Sequence, residues 1–197
     1  MRRAAFSYRA VSAAWTLALL ASLGGSPVCA QNDPSAQREK SQILEQTLPS
    51  EPRDRFYRLA EIAKAEIDAG QYDKAQAYAT ELLDDAPKYP DDWNYGNAIF
   101  YGNTILGRVA IERDNNVAQA DSYLASSVAT PGSPQLDAAG PNMTLAKDLL
   151  SAGERDSVLD FLDRCRSFWK INNNQLDEWS NDIRDGAAPN FGANLKY

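Results

Sequence analysis

Few residues in this chain of 197 could carry out catalysis, because it contains no histidine. Histidine is the commonest general base near neutral pH and a common zinc ligand, so its absence removes Ser-His-Asp and Cys-His sites. Two acidic pairs remain, in the stretches LDDAP and YPDDW, and the second contains Asp91 and Asp92. Paired carboxylates can act as acid and base or bind a cation, but neither stretch has the ligand spacing of a calcium loop. No catalytic, cofactor-binding or metal site is therefore predicted.

Two further groups have both a structural and a functional interpretation. Cys165 lies among apolar residues at helical spacing, where a free cysteine usually packs as a small hydrophobic side chain. An aromatic cluster, made of Trp93, Tyr95, Phe100 and Tyr101, enters a predicted helix. Core packing is the simpler interpretation of this cluster, and a platform for a ligand is the alternative.

The first thirty residues have the pattern of a secretory signal. Arg2 and Arg3 precede the apolar run AVSAAWTLALLASLGG, and the following SPVCA ends in a small residue suited to cleavage. The run is too short to span a bilayer well, and no later run is comparable, so no transmembrane segment is expected after cleavage. We expect cleavage after Ala30 and a periplasmic or secreted protein. Cleavage removes three arginines and no acid, which changes the net charge from −7 to −10 and disfavours nucleic acid as a partner.

The rest of the chain predicts one all-α domain over residues 51–197, preceded by a flexible polar lead-in at 31–50. Apolar residues recur at three- and four-residue steps, and no alternating run favours a strand. The predicted helices span about 51–67, 72–86, 93–113, 117–128, 141–151, 157–169 and 174–184. The stretch TPGSPQLDAAG between the fourth and fifth helices is predicted to be a loop.

The stretch LAEIAKAEIDAGQYDKAQAYATELLDDAP resembles a tetratricopeptide repeat (TPR) unit. The match is carried by Ala63, Gly70, Tyr72, Asp73, Ala75 and Pro87. Two degenerate units follow, in which Gly107 and Ala146 align with Ala63, and Asp114 and Gly153 align with Gly70. The resemblance implies about three TPR-like helical hairpins and a C-terminal capping helix in a short right-handed α-solenoid. It also explains a glycine inside a helix, because Gly107 would mark a close helix crossing.

In the TPR family the first helix of each pair lines a concave groove, and here each small crossing residue is followed by a cation. The resemblance implies a groove for an acidic peptide segment or a free carboxylate. The predicted partner-binding residues are Tyr57, Lys64, Tyr101, Arg108 and Lys147. In the alternative interpretation, Lys64 pairs with Asp68 and Arg108 with Glu112, each four residues along its own helix.

The sequence therefore predicts an exported, non-catalytic interaction module that holds a protein or peptide segment. Two alternatives stay open. One is an envelope enzyme that lacks histidine and relies on carboxylates such as Asp91 and Asp92. The other is a structural subunit whose surfaces serve self-assembly.

Overall fold

The computed structural model describes residues 33–195 and folds them into nine α-helices, with no strand among these residues. The helices are α1 Pro34–Gln46, α2 Pro52–Asp68, α3 Tyr72–Asp85, α4 Tyr95–Glu112, α5 Val117–Ser127, α6 Pro134–Ala139, α7 Thr144–Ala152, α8 Arg155–Cys165 and α9 Gln175–Arg184. A short 3₁₀ turn follows α3 at Ala86–Lys88, and another follows α9 at Gly192–Leu195. The all-α class and the packing of neighbouring helices as hairpins confirm the predicted fold class. The predicted signal peptide, residues 1–30, lies outside the described residues.

Three hairpins, α2–α3, α4–α5 and α7–α8, share one turn geometry. The backbone is left-handed at one residue of each turn, with φ of +73° at Gly70, +50° at Asn115 and +99° at Gly153. Glycine and asparagine adopt this conformation at the least steric cost, and it ends a helix. Each of these residues stands five positions before a fully buried residue of the next helix, namely Ala75, Ala120 and Val158.

The middle turn contains one extra residue. Each turn is closed by a backbone hydrogen bond to the end of the first helix, and these bonds run from Gln71 to Glu66, from Asn116 to Ala110 and from Glu154 to Leu149. The first and third bonds span five positions, whereas the second spans six. The alignment of Asp114 with Gly70 is therefore wrong by one position, and Asn115 is the structural equivalent. Because they accept the same bond, Glu66, Ala110 and Leu149 are equivalent positions of the three units.

Helix α4 lies at the centre of the structure and approaches its neighbours closely where it has no side chain. A Cβ atom on Gly102 would lie 2.6 Å from Cγ of Leu83 on α3. A Cβ atom on Gly96 would overlap the backbone carbonyl oxygen of Gly132, in the segment before α6. Glycine lowers helix propensity by about 1 kcal/mol relative to alanine, and here the cost accompanies contacts that no larger residue permits.

Gly107 marks a helix crossing, as the sequence predicts, but it faces two helices. A Cβ atom at this position would lie 3.2 Å from Cβ of Tyr123 on α5, the partner helix of its own hairpin, and would overlap Cδ2 of Leu145 on α7. The equivalent residues Ala63 and Ala146 are fully buried. The crossing therefore joins one hairpin to the next.

The core consists of three hydrophobic clusters, and α4 contributes to each. Ala98 belongs to the cluster near α2, Ile105 to the middle cluster, and Phe100 to the large cluster that includes α7, α8 and α9. The ring of Tyr101 packs against all three clusters. A single helix therefore connects the two halves of the described chain.

The N-terminal segment differs from the prediction. Within the expected flexible lead-in, residues 34–46 form α1, which packs on α2. The helix begins at Pro34, and the Asp33 carboxylate accepts a hydrogen bond from the Ser35 N–H at 2.9 Å, both typical of a helix start. The apolar pattern of this helix is weak, because the one buried residue on its inner face is the polar Ser41.

The predicted loop before the third hairpin contains helix α6. The Ser133 hydroxyl accepts a hydrogen bond from the Leu136 N–H at 3.0 Å, and Leu136 is fully buried. Pro134 occupies the first helical turn. The next helix begins at Thr144 rather than at Pro141. Pro134 therefore begins a helix, whereas Pro141 lies in the connection between α6 and α7.

The C-terminal segment closes the fold instead of trailing away from it. Helix α9 packs on α8, as expected of a capping helix. Beyond it, Phe191 is buried, and the Asn194 side chain donates hydrogen bonds to the carbonyl oxygens of Ala139 and Pro141 at 3.2 and 3.0 Å. The N–H of Met143 in turn donates to the Asn194 carbonyl at 2.8 Å. Within residues 33–195, none of the helices has the length and apolar character needed to cross a membrane.

We predict that Gly107→Ala destabilises the protein and Gly107→Leu destabilises it further, because the new atoms meet Leu145. The expected loss for alanine is about 1–3 kcal/mol, the usual cost of overpacking a core. Denaturant unfolding measures it, and Leu145→Ala provides the control, since it removes the overlapping methyl group. The loss caused by Gly107→Ala should shrink in the Leu145→Ala background. Equal losses in both backgrounds would contradict this crossing.

Candidate functional site

Lys64 and Arg108, two of the predicted groove cations, lie side by side because α2 and α4 pack together. The Asp68 carboxylate lies between them, 3.0 Å from the Lys64 ammonium and 2.9 Å from a terminal nitrogen of Arg108. Nε of Arg108 also donates to Glu112 at 2.8 Å. Both intrahelical pairs of the alternative interpretation are therefore present, and a third pair links the two helices.

The cluster is nearly neutral and partly shielded from water. The Arg108 side chain is 14% exposed, and that of Asp68 is 25% exposed. Burial raises the pKa of Asp68, but Lys64 and Arg108 outweigh this effect and hold the pKa below its usual value. Asp68 and Glu112 thus balance Lys64 and Arg108, so these cations provide little net attraction for an acidic segment.

Lys147, the third predicted cation, stands apart from these ion pairs. It is exposed at the start of α7 and makes no ion pair among the described residues. The next residue, Asp148, is partly buried, and burial together with the charge of Glu112 raises its pKa. Lys147 is therefore followed by a carboxyl group, that of Asp148, whose ionisation is disfavoured.

The two predicted groove tyrosines do not lie together. Tyr101 packs into the core, its ring meeting that of Phe100 edge to face at 5.3 Å, and burial raises its pKa to about 12. Tyr57 lies near the start of α2, where its ring stacks on that of Trp93 at a centroid distance of 5.3 Å. The aromatic cluster predicted from the sequence is thus divided: Phe100 is buried, whereas Trp93 is 49% exposed.

Tyr57, Trp93 and Arg53 form a surface that we call the Trp93 patch. Arg53 donates to the Tyr57 hydroxyl oxygen at 2.8 Å and to Oδ2 of Asp92 at 2.7 Å. The Tyr57 hydroxyl also donates to Asp92, at 2.7 Å. A shallow depression of about 250 Å³ adjoins the patch, lined by Arg53, Lys88, Tyr89, Pro90, Asp91 and Asp92. These bonds fix the orientation of the aromatic and cationic groups before any partner arrives.

Asp92 and Cys165, two of the residues considered for catalysis, have structural roles. The Asp92 side chain is 3% exposed. Burial raises its pKa, but hydrogen bonds from the Asn94 N–H, Tyr57 and Arg53 together hold it below the usual value, so it is a poor proton donor near neutral pH. Cys165 is buried in the core, and burial raises the pKa of its thiol, which disfavours the reactive thiolate. Among the described residues, no three cysteine or acidic side chains lie close enough together to bind a metal ion.

Glu66 on α2 is the residue that the sequence reasoning missed. It is fully buried, and neither carboxylate oxygen has a hydrogen-bond partner among the described residues. Burial raises its pKa, and the nearby Ser41 and Lys74 only partly oppose this effect. The spacing of the sequence does indicate that Glu66 is buried, since it lies three residues after Ala63 on the apolar face of the helix.

No protein-family profile, curated protein or solved structure matches this chain.

We predict that Arg108→Met lowers the free energy of unfolding by about 2 kcal/mol at pH 7, because a largely buried ion pair loses one partner and the loss is discounted for its residual exposure. Lys64→Met, which removes a more exposed pair, should cost about 0.5 kcal/mol. Urea unfolding of both variants measures the difference.

The difference in unfolding free energy between Arg108→Met and the unmodified chain also depends on pH. Because the pKa of Asp68 is lowered in the folded state, its stabilising contribution is present above about pH 4, the ordinary value, and disappears as the pH falls through the folded value. The gap between Arg108→Met and the unmodified chain should therefore narrow in acid. A variant as stable as the unmodified chain at pH 7 would indicate a free groove cation instead of a structural one.

Proposed function

We propose that the protein is an exported, non-catalytic interaction module that holds a segment of a partner protein. The observation that carries this proposal is the Trp93 patch, where a half-exposed tryptophan is stacked on a tyrosine and held beside an arginine. Tryptophan, tyrosine and arginine are the residues most enriched at interface hot spots. Groups fixed in place before binding lose little conformational entropy when a partner binds.

The shape of this surface favours a protein segment over a small molecule. The adjoining depression is shallow and holds about 250 Å³, below the usual range of about 300–1,000 Å³ for small-molecule sites. An apolar side chain of a partner can cover the exposed face of Trp93. The Lys88 ammonium and the Arg53 guanidinium, each on a side chain 64% exposed, are already paired with Asp85 and Asp92, so we expect the apolar contact with Trp93 to provide most of the binding free energy.

The proposed class of function is the one expected from the sequence, but the proposed binding surface is the Trp93 patch instead of the row of cations. Of the five predicted groove residues, Tyr57 belongs to the Trp93 patch. Lys64 and Arg108 stabilise the packing of α2 on α4, and Tyr101 belongs to the core. Lys147, on the first helix of the third hairpin, stays a candidate contact for a partner. The proposed export rests on residues 1–30, and the proposed resemblance to TPR units rests on the repeated turn and the spacing of small residues.

We predict that Trp93→Ala weakens partner binding about 30-fold or more, the loss typical of a hot-spot residue, and leaves the thermal midpoint nearly unchanged. The matched control is Ile171→Ala, which removes another exposed apolar side chain, in the connection between α8 and α9. The chain and both variants are immobilised, envelope extract is passed over each, and retained proteins are quantified by mass spectrometry.

The expected result is a protein retained by the unmodified chain and by Ile171→Ala but not by Trp93→Ala. Equal retention by all three would overturn the assignment of the Trp93 patch. Light scattering on the purified chain adds one outcome: if it is oligomeric and Trp93→Ala makes it monomeric, the patch serves self-assembly, and the alternative of a structural subunit takes the place of the adaptor.

A further inference from the structure

Glu66 is an acidic residue at a position where the other two units have an apolar one. Its equivalents, Ala110 and Leu149, accept the same turn hydrogen bond and are buried apolar residues at 4% and 0% exposure. Glu66 is equally buried, at 0% exposure. An isolated carboxylate in such a place costs several kcal/mol unless it is paired or protonated. This position therefore differs from its equivalents in needing a polar partner.

The residues around Glu66 do not provide that partner. The Ser41 hydroxyl of α1 is close enough to favour the charged carboxylate, but it does not meet either oxygen in full hydrogen-bond geometry. Lys74 of α3 acts on Glu66 only through its charge, and its ammonium is bound to Glu45 at 2.6 Å. Glu45 itself adds a like charge near Glu66. The carboxylate is thus enclosed by α1, α2 and α3 without a matched cation.

The cover over Glu66 is helix α1, whose inner face is poorly suited to it. The buried or partly buried residues of α1 and of the segment that joins it to α2 are Gln37, Ser41, Leu44, Glu45, Leu48 and Pro49. None of them is a cation. Glu45 connects α1 to α3: it pairs with Lys74 and accepts a hydrogen bond from the Tyr78 hydroxyl at 3.2 Å. Since the Lys74 side chain is 48% exposed, solvent screens its ion pair with Glu45, and the pair holds α1 only weakly.

We propose that α1 is a replaceable cover and that the surface of α2 and α3 beneath it binds an amphipathic helix of a partner protein. The partner helix would have lysine or arginine in the place of Ser41, opposite Glu66. It would also have an acidic residue one turn later, in the place of Glu45, opposite Lys74 and Tyr78. The site is separate from the Trp93 patch, and the inference does not rest on the function proposed there.

The charges of the residues around α1 favour this occupant. α1 shows that a helix fits the surface, and its Ser41 and Glu45 are four residues apart, so they face α2 and α3 from one side of the helix. A cation above Glu66 would convert an unpaired buried charge into a charge-assisted hydrogen bond, which α1 does not provide. A helix that is neutral or acidic at this place would gain nothing over α1. The basic residue therefore determines whether a partner can displace the cover.

The test uses two labelled synthetic peptides and the full chain. One peptide has the sequence of residues 34–48, and the other has the same sequence with the change Ser41→Lys. Fluorescence anisotropy measures the binding of each to the unmodified chain, to Glu66→Gln and to Glu45→Gln. The glutamine at position 66 keeps the shape of the side chain and removes its charge. The glutamine at position 45 weakens the bond of α1 to Lys74 and so loosens the cover.

We expect the Ser41→Lys peptide to bind the unmodified chain about tenfold or more tightly than the unchanged peptide, the ratio that a charge-assisted hydrogen bond provides. Glu66→Gln should reduce this ratio to near one, and Glu45→Gln should strengthen the binding of the Ser41→Lys peptide. Equal binding of the two peptides to the unmodified chain would overturn the proposal. So would a preference for the lysine peptide that survives in Glu66→Gln. Circular dichroism of each variant before binding ensures that a loss is read on folded protein.

Discussion

The structure depends on the close approach of α4 to the elements around it. One helix reaches α3, α5, α7 and the segment before α6, and it does so because Gly96, Gly102 and Gly107 place no side chain between the backbones. Each glycine lowers helix propensity, so an isolated peptide of this sequence would be a weaker helix than its alanine counterpart. Burial offsets that cost, because α4 contributes to all three hydrophobic clusters. The two halves of the described chain are joined through this helix.

The surfaces that could bind a partner lie around the first hairpin. The Trp93 patch is formed where the start of α2 meets the connection into α4, and its groups are fixed by Asp92. The surface beneath α1 is formed by the outer side of the same hairpin. By contrast, Lys64 and Arg108, which the sequence placed in the groove, share Asp68 and help to hold α2 against α4. Charge alone therefore did not distinguish a binding residue from a packing residue.

Much of the fold could be predicted from the sequence, because apolar spacing and turn residues act locally. The all-α class, the three hairpins and the crossing at Gly107 follow from such patterns. Three features could not be predicted in this way. Helix α1 has a polar inner face, α6 is a short helix in a stretch rich in proline and glycine, and the place of the extra residue within the middle turn shows only in which carbonyl accepts the Asn116 N–H. Which partner Arg108 meets depends on how two helices pack, and one sequence does not contain that register.

Native-state hydrogen exchange would test most directly the contrast between a central α4 and a replaceable α1. If α4 joins the halves of the fold, its amide protons should exchange only through global unfolding, with the highest free energy of opening in the protein. The amide protons of α1 should exchange through a smaller opening, at a clearly lower free energy and with less dependence on denaturant. Exchange of α1 at the same free energy as α4 would show that α1 is an integral part of the fold. Exchange of α4 before its neighbours would contradict its central role.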